Sequence, residues 1–197
     1  MTQDTLIAET MQERAKRLEA YETPEWPIQA ILNKELLTHS VFDPCTGFGV
    51  MADVAERFGY YVWVNDIYDW DGDLKGEEKN FLADDWPDGY LKNSSVIMNP
   101  PFKYACAFVD QSFRLGARKV ICFQRFAWWE SKTRREWWTR RMPNRIYICG
   151  DRASCWRFDI PSDKRGDNTP TPHAWYVWEQ GHPQGTQISH IYKEDAR

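Results

Sequence analysis

No stretch of this sequence approaches the roughly 18 apolar residues that a membrane-spanning helix needs. Residues 1–20 are polar and charged and hold no apolar signal core. A cytoplasmic protein with no membrane partner is therefore expected. Cysteine is sparse: Cys45, Cys106, Cys122, Cys149 and Cys155, with no two at the two-residue gap of zinc or redox motifs. Cys149 and Cys155 could be combined with His173 as ligands, but zinc knuckles use tighter pairs, so buried free thiols and no metal are expected. Internal repeats, low-complexity tracts and domain linkers are absent too. With 197 residues, a single domain over 1–197 follows, large enough to bury a core without disulfides or metals.

Tryptophan is abundant, at 11 residues. It is costly to expose and often marks a stacking or binding surface. Charge is unevenly spread. Between Val41 and Asn99 twelve acids face four bases, whereas between Gln111 and Gly150 ten bases face two acids. A net charge of −4 hides this division. A basic half can hold a polyanion while the acidic half does something else.

Residues 4–20 read as a helix, and Pro24 and Pro27 stop it. Ile28–Leu37 restarts one at helical spacing. Ser40–Pro44 reads as a short buried strand, Phe48–Phe58 as a helix closed by Gly59, and Tyr60–Ile67 as a second strand. Ser95–Met98 and Lys119–Phe123 are further strands, with a helix over Ala105–Leu115 between them. Phe126–Arg141 reads as a basic, Trp-laden helix. Arg145–Cys149, His173–Trp178 and Ile188–Tyr192 read as late strands, and 159–172 as a flexible loop. The pattern implies an α/β, Rossmann-like fold: a mostly parallel sheet with helices on both faces and an antiparallel edge hairpin.

In such a sheet, ligands bind beyond the carboxyl ends of the strands. Three polar clusters fall at such ends. Asp43-Pro44-Cys45-Thr46-Gly47-Phe48-Gly49 is a strand–turn–helix whose glycines would let backbone approach a ligand. It lacks the third glycine of a dinucleotide fingerprint and the Lys-Ser/Thr of a phosphate loop, and taken alone it could be a plain turn. Asn65-Asp66 closes the second strand, where an acid suits ribose hydroxyls, although a solvated turn acid looks the same. The third cluster is Asn99-Pro100-Pro101-Phe102. Its prolines stiffen the chain and remove donors while their carbonyls stay acceptors. The Asn99 side-chain oxygen and the Pro100 carbonyl could accept both protons of an exocyclic amine and so aim its lone pair at an electrophile. Phe102 could stack on a base flipped from a duplex. A Pro-Pro turn merely ending a strand is the plain alternative.

With these clusters in this order, the chain resembles the class I S-adenosylmethionine-dependent methyltransferases, in particular the gamma-class N6-adenine DNA methyltransferases of a small phage or prophage type. The resemblance runs over about residues 21–182. It implies S-adenosylmethionine as cofactor, S-adenosylhomocysteine as product, and adenine in duplex DNA as target, in a bacterial or phage-infected cell. The cofactor contacts it implies are Thr23-Pro24, Asp43, Pro44, Cys45, Gly47, Gly49, Asp66, Ile67 and Asn99, with Asp84, or else Asp85, facing the adenine ring. Asn99, Pro100, Pro101 and Phe102 would form the catalytic loop. Gamma enzymes carry a target-recognition domain after the catalytic one, and the 95 residues after Phe102 leave no room for it. Sequence recognition is thus expected to be loose, or supplied by a homodimer mate or partner subunit.

Arg134, Arg135, Arg140 and Arg141, with Lys164 and Arg165 as a second group, are the candidates for phosphate contact. Trp128, Trp129 and Trp138 fit the core better than a contact surface. Two other readings stay open. The same loop chemistry serves adenine in RNA or a protein amide, and a non-catalytic subunit could bind cofactor and nucleic acid without turnover.

Overall fold

Short apolar runs such as Val41-Phe42, Val96–Met98 and Val120–Phe123 are buried on both faces, which makes them central strands of a covered sheet. The structure, a computed structural model, describes residues 9–83, 85–166, 171–183 and 185–197. The strands are β1 (Tyr21–Glu22), β2 (Ser40–Asp43), β3 (Tyr61–Asp66), β4 (Glu77–Glu78), β5 (Ser95–Met98), β6 (Lys119–Arg125), β7 (Arg145–Cys149), β8 (Trp156–Arg157), β9 (His173–Glu179) and β10 (Gln187–Ile191). The helices are α1 (Met11–Arg17), α2 (Glu25–Lys34), α3 (Val50–Arg57), α4 (Ala105–Arg114) and α5 (Arg135–Arg140).

Eight strands form one sheet in the order β10-β7-β9-β6-β5-β2-β3-β4. β2, β3, β5 and β6 run parallel, while β9 is antiparallel to both β6 and β7. The expected fold class is therefore present, with the antiparallel pairing confined to the late strands. Beyond it, β10 adds parallel to β7. The strand order reverses between β2 and β5, and this switch point is where an α/β sheet opens a crevice. One face packs Ile28, Ile31 and Val54 against Val41, Ile97 and Trp175. The other packs Phe108, Val109 and Trp128 against Phe42, Val96 and Tyr176. No helix among the described residues is long and apolar enough to cross a membrane.

Three elements differ from expectation. The first helix covers Met11–Arg17, opened by a capping box in which Thr10 and Glu13 exchange bonds; residues 1–8 lie outside the described part. The second helix begins at Glu25, not Ile28, because Pro27 falls in its first turn, where the missing N–H costs nothing. The basic Trp helix is interrupted. A 3-10 turn at Phe126–Trp128 is followed by irregular chain before α5. Ser131 Oγ accepts from the Arg134 N–H at 3.3 Å, a local bond that competes with helix continuation. Trp128 and Trp138 are buried against Tyr176, buried Trp137 packs on both of them, and Trp129 lies partly buried beside Tyr176.

A two-stranded cap, β1 antiparallel to β8, joins residues more than a hundred positions apart.

Candidate active site

The turn after β2 is tied to the end of β3. The Asp43 carboxylate accepts the Cys45 N–H at 3.1 Å, and Asp66 Oδ2 accepts the Gly47 N–H at 2.9 Å. Asp66 Oδ1 also takes bonds from the Tyr68 N–H and Trp70 Nε1, at 3.1 and 3.2 Å. Buried Asn65 donates to the Pro44 carbonyl at 3.0 Å, holding the turn from behind. Burial pushes the Asp43 carboxyl up to about 8, with a smaller push from the nearby Asp66, and burial raises Asp66 as well. Gly47 has φ +59°, and a Cβ there would meet the Phe158 ring at 2.3 Å. Phe158 packs tilted against Phe48 and meets Trp70 edge-on, so an aromatic from beyond β8 stands over the glycine turn.

Beside this turn lies a cleft of about 370 Å³, walled by Cys45, Asp66, Ile67, Phe81, Leu82 and Asn99 among others. The lining suits a nucleoside: Asp66 Oδ2 keeps an acceptor position for a ribose hydroxyl, beside apolar walls for a flat ring. Pro44 lines it as well, Gly49 caps α3 with φ +83°, and Pro24 caps α2. Asp84 lies outside the described residues. Its alternative, Asp85, is exposed and pairs with Lys79 at 3.3 Å rather than facing the cleft.

Asn99, with Glu19 and Tyr21, lines both this cleft and a second one of about 330 Å³, walled by Pro100, Phe102, Gln124, Arg125 and His173 among others. Asn99 Nδ2 donates to Thr23 Oγ1 at 2.9 Å and to the Tyr21 carbonyl at 3.2 Å. Both donor positions are thus spent on the capping strand and the residue that follows it. The side-chain oxygen receives no bond among the described residues and keeps its acceptor capacity. The Pro100 carbonyl accepts from buried Gln124 Nε2 at 2.6 Å, which fixes its direction and leaves one lone pair. Pro101 faces the first cleft and Phe102 the second. Asn99, Pro100, Pro101, Phe102 and Asp66 therefore line these two clefts, and Thr23 and Asp43 line a small neighbouring one with Cys45 and Asn99, whereas Gly47 and Gly49 face a separate cleft with Asp53 and Glu56.

The basic residues divide. Arg134 reaches the Phe102 ring, with its guanidinium carbon 5.1 Å from the centroid. Arg135 is exposed at the start of α5. Arg140 and Arg141 line a different cleft with Glu179, near the amino end of β6, and Arg141 pairs with Asp110 at 2.8 Å. Arg165 pairs with Glu22 at 2.6 Å, and Lys164 is exposed.

Three site residues escaped the sequence reading. Gln124 is a polar residue closing an apolar strand, a signal that could have been used. Tyr21 contributes its backbone carbonyl, and Phe158 reaches Gly47 across more than a hundred residues; neither leaves a local trace.

No family model and no curated protein matches the sequence. Solved structures do resemble it. A candidate RNA methyltransferase from Pyrococcus horikoshii is 13% identical with TM-score 0.55, over 87% of this chain and 98% of that one. A predicted O-methyltransferase from Agrobacterium tumefaciens is 12% identical with TM-score 0.52, over 86% of each chain. A dimethyladenosine transferase from Plasmodium falciparum is 12% identical with TM-score 0.50, over 78% of this chain and 60% of that one. The chain thus shares the Rossmann-like fold of these methyltransferases.

Proposed function

We propose that this chain holds S-adenosylmethionine in the cleft beside Asp66 and transfers its methyl group to N6 of adenine in DNA, the base being turned out of the duplex into the second cleft. The bonding of Asn99 carries this reading. Its amide nitrogen is anchored by Thr23 and Tyr21, so its oxygen is a positioned acceptor at the partition between the two clefts.

When bound, the cofactor supplies an electrophilic sulfonium methyl and leaves as S-adenosylhomocysteine. The chain's own residues do the rest. The amine of adenine is a poor nucleophile because its lone pair is delocalised into the ring. Asn99 Oδ1 and the remaining lone pair of the Pro100 carbonyl accept its two N–H groups, which favours a tetrahedral nitrogen. Gln124 keeps the Pro100 carbonyl aimed. Fixed dipoles of this kind need no reorganisation as charge develops. Asp66 and Ile67 would hold the ribose and adenine of the cofactor in the first cleft. Arg134 lies close enough to Phe102 to contact a strand whose base is in the second cleft.

The fourth loop residue, Phe102, and Cys45 in the cofactor turn favour DNA over RNA as acceptor. Two structural neighbours are named for RNA or adenosine methylation, so both acceptors belong in the test. The experiment is transfer from labelled S-adenosylmethionine to unmethylated duplex DNA and to RNA, with nucleoside analysis and Asn99→Ala as control. Label in N6-methyladenine of DNA, lost by about 10²–10³-fold in the variant, is expected. Label confined to RNA replaces the acceptor, and cofactor binding with no transfer to either overturns the reading.

A further inference from the structure

Arginines near the candidate site are mostly committed. Glu9 holds Arg14 and Arg17, Asp159 holds Arg157, and Glu22 holds Arg165. Arg125 and Arg134 are different. Among the described residues neither has a carboxylate partner, yet both stand against the same ring. The guanidinium carbons lie 5.7 and 5.1 Å from the Phe102 centroid.

Their settings are complementary. Arg125 is exposed at the carboxyl end of β6, lines the second cleft, and lies 5.7 Å from the Tyr21 ring centroid as well. It therefore reaches both aromatic walls of that cleft. Arg134 is partly buried, and its Nε donates to the Trp128 carbonyl at 3.2 Å. That bond fixes the plane of the guanidinium while its terminal nitrogens keep their donors. An arginine beside an aromatic ring, with no acid to neutralise it, keeps its full charge and its planar fork for an incoming phosphate.

We infer that Arg125 and Arg134 form a two-point phosphate clamp astride Phe102, gripping the backbone on either side of the nucleotide whose base enters the second cleft. The inference rests on the proposed reading of that cleft as the target-base site. A base can leave its stack only if its sugar and the two flanking phosphates swing with it, so those phosphates arrive at the mouth of the cleft. Two cations there hold the rotated backbone rather than read sequence. Arg125 and Arg134 are positioning residues, since they touch the backbone and not the reacting amine. Arg140 and Arg141, at the other end of β6, take no part.

The test uses a duplex in which the methylated adenine has been located, made also with neutral methylphosphonates at its two flanking phosphates. The enzymes are the wild type, Arg125→Gln, Arg134→Gln and Arg125→Lys. Each glutamine variant is expected to raise KM for DNA about tenfold, the scale of one charge-assisted hydrogen bond, with little change in kcat. Each should lower the slope of log affinity against log salt by about 1. The neutral linkage should cost the wild type a similar factor and cost the matching variant nothing more. Lysine should recover part of the loss, because the charge remains. Cofactor affinity and melting temperature, unchanged, show that each variant is folded. A wild-type KM and salt slope in both glutamine variants would overturn the clamp, as would variant and linkage effects that simply multiply. A wild type that binds cofactor but methylates no DNA overturns the target-site reading and the clamp with it.

Discussion

Asp43 is a carboxylic acid in a place that disfavours its charge. It is 1% exposed, and burial raises its pKa from 3.8 to about 8. The folded form therefore binds a proton that the unfolded chain releases at lower pH. Stability from this group is full below pH 4 and is lost progressively as pH rises toward 8. Asp66, also raised by burial, acts in the same direction. Asp43→Asn keeps an oxygen for the Cys45 N–H and removes the titration. Melting curves at pH 5, 6.5 and 8 should show the wild type losing more stability than the variant across this range. Equal slopes would mean that Asp43 is ionised in the folded protein. Asp43 was legible as part of a cofactor turn, but its neutrality was not. That depends on how deeply β2 is covered, which the local sequence does not state.

Among the elements, α2 ends where Glu35 is needed. Glu35 adopts an extended conformation and turns inward while its neighbour Leu36 stays 82% exposed. Its buried carboxylate accepts from Lys119 at 3.0 Å, from Arg145 and from the Tyr147 hydroxyl at 2.8 Å. Burial pushes its pKa up, but the bonds from Arg145, Tyr147 and Lys119 outweigh that and hold it below the usual value. This knot joins α2, β6 and β7 at the sheet end away from the candidate site. Glu35→Ala takes the nearest carboxylate from Lys119, which is 7% exposed, leaving it the Leu36 carbonyl at 2.7 Å and Glu179 at 3.4 Å, and takes a partner from Arg145 as well. Urea unfolding should show a loss of about 3–5 kcal/mol, the usual cost of stripping one partner from a buried pair. A loss under ~1 kcal/mol would mean that solvent reaches the knot. Element boundaries in the sequence failed where such tertiary demands won. Helical spacing carried the reading through Leu37, yet Glu35 leaves the helix to meet its cations. The apolar stripe from Phe126 to Arg141 suggested one helix, yet burying Trp128, Trp137 and Trp138 in one cluster breaks it in two.

At the scale of the whole molecule, the order of polar clusters was the readable part. Each falls at the carboxyl end of a parallel strand, and the switch point between β2 and β5 brings them together. The β1–β8 cap was not readable, because it pairs Tyr21 with Arg157 through a contact that only the folded chain creates. The uneven charge was legible in the sequence, but its use was not. Of the arginines in the basic segment, Arg134 points toward the catalytic loop and Arg141 is spent on Asp110. The partition at Asn99 also bears on traffic. Two chambers that share a wall need not share a doorway, so neither substrate has to wait for the other. On the proposed reading, an inhibitor that competes with DNA should act noncompetitively toward S-adenosylmethionine, and cofactor should exchange while the enzyme stays on its strand. An uncompetitive pattern toward S-adenosylmethionine would mean that the DNA chamber opens only after cofactor has entered.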